Sequence, residues 1–133
     1  MRPALLVVFP FAFLVLVGCG GEKPAEVSGT VLLDDGAPLP EGEIIFLAAD
    51  NSKSPEAGPI KDGKYSLTLP PGAKKVRIQA SRPASKSDPA MGAPPKEAML
   101  GPEYNEKSTL TADIKPGKNE GVDFKVKALP KRK

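Results

Sequence analysis

The chain has no histidine, no tryptophan and a single cysteine. Without histidine it has no Ser-His-Asp triad, no histidine metal site and no side chain that ordinarily titrates near neutral pH. One cysteine forms neither an internal disulfide nor a cysteine zinc cluster. These absences exclude most familiar catalytic and metal-dependent classes, so we predict no catalytic residue, no resident metal and no cofactor.

Aromatic residues are also scarce, at 5% of the chain, whereas 16 prolines and 13 glycines are spread over 133 residues. This content disfavours long helices, and the length suits one folded domain. The formal net charge of +3 comes from interleaved acids and bases, apart from a basic tail at residues 128–133. With two tyrosines and a few phenylalanines available for stacking on bases, nucleic-acid binding is not predicted.

The beginning of the chain has the pattern of a secretory signal. Arg2 precedes an apolar run over residues 4–17, which Pro10 interrupts. The run is shorter than the about 20 apolar residues of a membrane-spanning helix and suits the about 7 to 15 residues of a signal-peptide core. We therefore predict that residues 1–18 form a cleaved signal peptide and not a permanent span.

The apolar run ends in Leu16-Val17-Gly18-Cys19, which resembles the bacterial lipobox at all four positions. The resemblance implies that a lipoprotein signal peptidase reads Leu16, Val17 and Gly18 and cuts before Cys19. It also implies a diacylglyceryl group on the Cys19 sulfur. The alternative is a stray thiol after an ordinary secretory signal, which is disfavoured because the chain's only cysteine stands at this boundary.

Lipid on Cys19 would hold the protein at a membrane surface, because each buried methylene contributes about 0.8 kcal/mol of membrane affinity. Residues 19–25 contain glycine and proline and are interpreted as a flexible tether between lipid and domain. The predicted location is the bacterial cell envelope, exposed outside the cytoplasm. The sequence does not choose between the inner and the outer membrane.

Short segments of alternating hydrophobicity follow the tether, without a sustained helical period. Asp62-Gly63 between two such segments is the strongest hairpin signal, and Gly36, Gly72 and Gly117 stand at other turns where a positive φ suits glycine. About seven strands with regularly spaced turns predict an all-β fold, a small antiparallel β-sandwich. The predicted strands are residues 26–33, 43–49, 57–60, 64–69, 74–81, 110–114 and 122–126.

The last two predicted strands are separated by Pro116-Gly117-Lys118-Asn119, a turn-forming sequence. Because both flanking segments alternate in hydrophobicity, we expect them to pair with each other. The sequence therefore predicts a hairpin at the end of the domain.

Residues 82–107 break the regular spacing of strands and turns. A structureless segment of this length is uncommon in a compact domain, and two roles are open for it: a binding loop or a solvated crossover between sheets, which the composition favours. Met91, Met99 and Leu100 are apolar enough to cover a sheet edge. Tyr104 either packs over the sandwich, which is favoured, or presents its ring to a ligand. The segment contains Pro83, Pro89, Pro94, Pro95 and Pro102.

Short motifs follow one another at residues 27–31, 35–39, 43–46, 62–67 and 71–76, with an ending at 102–105 and 110–117. In this order they resemble the carboxypeptidase regulatory-like domain, a transthyretin-like sandwich family. The resemblance covers residues 26–127 and implies a Greek-key β-sandwich that is a non-catalytic module of surface and secreted proteins. Lys74 departs from the family pattern, which commonly has an aromatic residue there.

Three functions are open at this point. The favoured one is a lipid-anchored structural or interaction module whose partner is an envelope protein or a cell-wall polymer. The second is a carbohydrate-binding module, although aromatic platforms for sugars are few. The third is a hydrolase, since a transthyretin-related branch is enzymatic, but that branch depends on histidines. No oligomeric state is predicted.

Overall fold

A computed structural model describes residues 21–84, 90, 92 and 94–131. This part of the chain forms strands, turns and short 3₁₀ turns but no α-helix, so the prediction of an all-β fold is confirmed. The 3₁₀ helix near the end of the chain spans Pro102–Tyr104. The strands are β1 Ala25–Leu33, β2 Glu41–Ala48, β3 Glu56–Lys61, β4 Lys64–Leu69, β5 Gly72–Gln79, β6 Ser81–Pro83, β7 Lys96–Ala98, β8 Thr111–Ile114, β9 Gly117–Asn119 and β10 Phe124–Val126.

Eight of these strands form one mostly antiparallel sheet, in the order β10-β1-β4-β3-β2-β5-β8 with β9 also paired to β1. β3 and β4 pair only at Lys61 and Lys64, so the sheet folds over at the turn between them. The half containing β3, β2, β5 and β8 then packs against the half containing β4, β1, β9 and β10, which gives a nearly closed sandwich. Strands β6 and β7 form a small second sheet.

The strand order contains two overlapping Greek keys. β2, β3 and β4 are consecutive neighbours, β1 lies beside β4, and β5 lies beside β2. In each case a fourth strand returns to the far side of three consecutive ones, which defines the motif. The Greek-key sandwich predicted from the sequence matches this order.

The turn between β3 and β4 has the geometry that its sequence predicts. Asp62 has φ 50° and Gly63 has φ 74°. Positive φ at both central residues is the requirement of a type I′ turn, whose twist suits a two-residue hairpin. The turn is held from outside because the Gly63 N–H donates to the Leu39 carbonyl at 2.7 Å.

One hydrophobic core lies between the two halves of the sandwich, and β1 enters it at its first residue, Ala25, one residue earlier than predicted. Alternate residues of each strand point inward, as the period-two pattern indicates. Lys74 is buried on the inner side of β5, 5% exposed. The largest fully buried side chains are Phe46, Leu39, Ile44, Ile60, Leu69, Ile78, Ile114, Val27, Val31, Val76 and Val126.

The predicted terminal hairpin is wrong. β8 pairs antiparallel with β5 at one end of the strand order, whereas β10 pairs parallel with β1 at the other end. Between them the short strand β9 also runs parallel to β1. The Asn119 side chain accepts a hydrogen bond from the Lys115 N–H and donates one to the Lys115 carbonyl, which fixes the turn between β8 and β9.

Part of residues 82–107 has regular structure. Arg82 pairs with Glu97 in the β6–β7 ladder, and the Met99 N–H donates to the Ala80 carbonyl at 2.8 Å. Leu100 is buried and Met99 packs against the core, while Met91 lies outside the described residues. The segment therefore crosses from β5 to β8 over one end of the sandwich.

Candidate functional site

A cleft of about 600 Å³ lies at the end of the sandwich where β5 stops pairing with β2. The last pair of the β2–β5 ladder is Glu43 with Gln79. Two residues later the same strand continues as β6, and Ser81 pairs with Ala98 of β7. The strand thus changes partners at Ala80, and the cleft opens between the start of β2 and the β6–β7 pair.

The main chain of Glu41 points into this cleft. The Asp62 N–H donates to the Pro40 carbonyl at 2.9 Å, which makes Glu41 and Lys61 a non-hydrogen-bonded pair of the antiparallel ladder. In such a pair the N–H and C=O groups point away from the partner strand, here away from β3. The N–H and C=O of Glu41 therefore point toward the β5 side of β2, just beyond the last pair of the β2–β5 ladder.

The floor of the cleft is apolar and its rim is polar. Ile78 is fully buried and Leu100 is 7% exposed beneath it. On the rim, the Glu43 carboxylate accepts a 2.7 Å hydrogen bond from the Gln79 amide. The Asn105 amide donates to the Gln79 side-chain oxygen at 3.3 Å and extends this polar row. Such a mixed lining is typical of a binding surface that orients a ligand by a few polar groups.

The wall formed by β6 and β7 is fixed by an ion pair. The Arg82 guanidinium and the Glu97 carboxylate are 2.7 Å apart, with 14% and 12% of their side chains exposed. Arg82 also donates to the Leu129 carbonyl, 47 residues away, and so ties this wall to the end of the domain. The Glu97 charge is therefore compensated, whereas Glu41 and Glu43 are exposed.

Beside this cleft, a second polar surface surrounds the outer side of β1 and β4. The Asp123 carboxylate accepts hydrogen bonds from the Thr30 N–H at 2.7 Å and the Thr30 hydroxyl at 2.9 Å. The Tyr65 hydroxyl donates to the Val122 carbonyl at 2.5 Å. These contacts attach Asp123 to β1 and Val122 to β4. We interpret this surface as a structural contact between the first and last strands.

Burial raises the pKa of the Tyr65 phenol above its usual range, and the negative charge of Asp123 raises it further. In the unfolded chain the Tyr65 phenol has its ordinary pKa of about 10. Because the pKa is higher in the folded chain, the stability that neutral Tyr65 contributes is fully present below about pH 10 and is lost as the pH rises toward the folded-state pKa. At pH 7 we expect Tyr65→Phe to cost about 1 kcal/mol through the lost hydrogen bond. This difference from the wild type should shrink above about pH 10.

Chemical denaturation at a series of pH values measures that difference. In a Tyr104→Phe background Tyr65 is the one remaining tyrosine, so ultraviolet absorbance follows its ionisation directly. A difference between the wild type and Tyr65→Phe that stays constant up to about pH 11.5 would contradict a raised pKa.

The predicted site residues fall into three groups. Cys19 and the preceding Leu16, Val17 and Gly18 lie outside the described residues. Tyr104 packs against the core, and its hydroxyl oxygen accepts a 3.1 Å hydrogen bond from the Lys127 N–H. The turn residues all have positive φ: Gly36, Asp62, Gly63, Gly72 and Gly117.

No group of three or more acidic, cysteine or histidine side chains that could hold a metal is found within residues 21–84, 90, 92 and 94–131. The same part of the chain contains no helix with the length and hydropathy needed to cross a bilayer.

The residues of the cleft were not identified from the sequence. Glu43 is the first residue of the predicted strand 43–49, and Gln79 lies within the predicted strand 74–81, so neither position is marked as part of a site. The one available signal was the break in alternation after Ser81, where the proline-rich segment begins. Comparison of the chain with protein-family models, curated proteins and solved structures finds no match.

Proposed function

We propose that the chain is a lipid-anchored, non-catalytic interaction module of the bacterial cell envelope. The observation that carries the proposal is the short distance in sequence between Cys19 of the lipobox-like motif and Ala25, the fully buried first residue of the sandwich. A chain attached to lipid at Cys19 would be tied to the end of the domain at which β1 begins.

The topology favours presentation of the cleft away from the membrane. Ala25 pairs with Leu69 and Gly117, which places these residues at the end of the sandwich next to the tether. β1 runs from there for nine residues, which is about 30 Å at the usual rise of a strand. Glu41 and the cleft lie at the far end, because β2 starts where β1 ends.

Binding fits this site better than catalysis. The chain has no histidine to act as a general base. The Glu41 and Glu43 carboxylates are exposed to solvent, a setting in which they act as charge and hydrogen-bond partners and not as buried, activated groups.

A carbohydrate-binding function has less support, because the tyrosines are used elsewhere. Tyr65 is buried and hydrogen-bonded to Val122, and Tyr104 packs against the core. Neither lines the cleft. An interaction with a polypeptide is therefore the favoured form of the proposal.

Cys19→Ala tests the anchor. In bacterial cells we expect the wild-type chain in the membrane fraction, with an N-terminal mass equal to acylated Cys19 after loss of residues 1–18. The Cys19→Ala chain should remain unprocessed or move to the soluble fraction, because it lacks the thiol that receives the lipid.

Gly21→Ala is the matched control, since it changes one small residue of the tether and leaves the lipobox-like motif intact. It should partition like the wild type. Recovery of the wild-type chain as a soluble product with an unmodified Cys19 thiol would refute the proposed anchor.

A further inference from the structure

The geometry points to a more specific ligand for the cleft: we propose that it binds an extended segment of a partner protein in which basic and apolar residues alternate. The segment adds as a short strand to the edge of β2 at Glu41. This inference rests on the proposed function only in treating the sandwich as an interaction module, and it does not require the lipid.

The edge of β2 is open at the position where a strand would add. The β2–β5 ladder ends at Glu43 and Gln79, and continuing its register would bring Ser81 opposite Glu41. Ser81 pairs with Ala98 instead. Within the described residues, no strand stands opposite the N–H and C=O of Glu41 on this side of β2. Addition of an extended peptide to such an edge uses the hydrogen bonds that the protein's own strand leaves unmade.

The cleft has room for this strand. Neighbouring strands lie about 4.8 Å apart, and a peptide of four to six residues occupies a volume comparable with the 600 Å³ of the cleft. The end of β5 packs closely against Gly42, since even a Cβ added at Gly42 would lie 2.7 Å from the Gln79 carbonyl oxygen. The ligand therefore enters beside Glu41 and not beside Gly42.

The charges at the rim select basic side chains. Glu41 and Glu43 lie on the same face of β2 because they are two residues apart, and both are exposed. Glu97 on the opposite wall is already paired with Arg82, and Lys96 would repel a second cation near it. Basic residues of the added strand therefore align along the β2 side.

The floor selects apolar side chains at the alternate positions. Ile78 and Leu100 lie buried beneath the opening, and the apolar lining residues with accessible surface are Ala80, Pro83 and Ala98. Alternate residues of an added strand would face this apolar lining. Aliphatic residues such as valine or leucine suit this floor, and none of the described lining residues is aromatic. Because this lining lacks an aromatic residue, it disfavours a saccharide, which commonly stacks on an aromatic ring.

Peptide binding to the full-length chain, purified in a nonionic detergent, tests the inference. The probe is a blocked hexapeptide of alternating lysine and valine, followed by fluorescence anisotropy at low salt. We expect saturable binding that weakens as salt is raised. A glutamate–valine peptide of the same length should bind at least about tenfold more weakly, because it carries the opposite charge.

Two further comparisons separate the roles of charge and of main-chain pairing. Glu41→Gln/Glu43→Gln should weaken binding about three- to tenfold, whereas the matched control Glu26→Gln/Glu120→Gln, with the same loss of charge far from the cleft, should leave it unchanged. A lysine–valine peptide that is N-methylated at alternate residues keeps its charge but cannot complete a ladder, and we expect about a tenfold loss.

The inference is overturned by no saturable binding, by equal effects of the two double variants, or by unchanged affinity for the N-methylated peptide. Displacement of the peptide by cell-wall oligosaccharides would make a glycan the ligand, and a dimer seen by sedimentation with the cleft occupied would make it a second copy of this chain. A chain that is anchored but binds no peptide refutes only this inference, and a chain that binds peptide but is not anchored refutes only the proposed anchor.

Discussion

Replacement of Gly29 by alanine is expected to destabilise the sandwich by about 2 to 4 kcal/mol. A Cβ at Gly29 would lie 2.0 Å from the carbonyl oxygen of Val122 and 2.5 Å from its carbonyl carbon. These are main-chain atoms of the segment that leads into β10, so no side-chain rotation relieves the overlap. The segment has to move away from β1, and the Tyr65 hydroxyl then loses the carbonyl to which it donates.

Chemical denaturation of the full-length chain measures this loss, with Gly21→Ala as the control. At Gly21 nothing lies within 4 Å of an added Cβ, so the same substitution should change the stability by less than about 0.5 kcal/mol. A Gly29→Ala chain as stable as the control would mean that residues 122–126 do not pack against β1 as described.

Substitution of Gly63 by valine is expected to cost about 3 to 5 kcal/mol, from two separate causes. The residue has φ 74°, a conformation that β-branched residues resist. In addition, a Cβ would lie 2.6 Å from the Cβ of Pro38 and 3.1 Å from the Val31 carbonyl oxygen. The β3–β4 turn is packed under the chain entering β2, so it cannot move outward without breaking its hydrogen bond to Leu39.

Gly36→Val separates the two causes. Gly36 has φ 86°, but nothing lies within 4 Å of an added Cβ, so this substitution carries the backbone strain without the overlap. We expect about 1 to 3 kcal/mol for Gly36→Val. A Gly63→Val change below about 0.5 kcal/mol would reject the turn geometry, and equal losses at both positions would reject the contact with Pro38.

The features that the sequence predicts well are those fixed by neighbouring residues. Asp62-Gly63 specifies its own turn because few other dipeptides adopt positive φ twice in succession. Alternation over residues 26–33 and 64–69 identifies the buried face because a strand with one solvated face has no other arrangement of its apolar residues. These local signals predict where the strands lie and that they form a sandwich, but not which strand pairs with which.

Pairing at the end of the chain depends on contacts that local patterns do not contain. Pro116 and Gly117 indicate a change of direction, but a hairpin and a crossover begin with the same residues. What separates them here is the Asp123 carboxylate, which accepts two hydrogen bonds from Thr30, 93 residues away. The parallel strands β9 and β10 could not be predicted for this reason.

The cleft was beyond prediction for a related cause. The cleft exists because the strand that pairs with β2 as β5 continues as β6 and pairs with β7. Strand β7 could not be predicted, since it lies in a segment whose prolines favour a loop. The ion pair between Arg82 and Glu97 stabilises that exchange across 15 residues of sequence. Glu41 and Glu43 alone look like ordinary exposed residues at the start of a strand. They indicate a site only once the β6–β7 pair is known to lie opposite them.

The pairing of the first strand with the last sets the order in which the domain can fold during synthesis. β1 gains β4 as a neighbour once residues 64–69 have been made, but its other edge stays without partners until residues 117–126 follow. A nascent chain therefore carries an open edge of β1 until residues 117–126 have been made, and such edges promote aggregation. Completion of the sandwich is therefore a late event, which waits for the synthesis of residues 117–126.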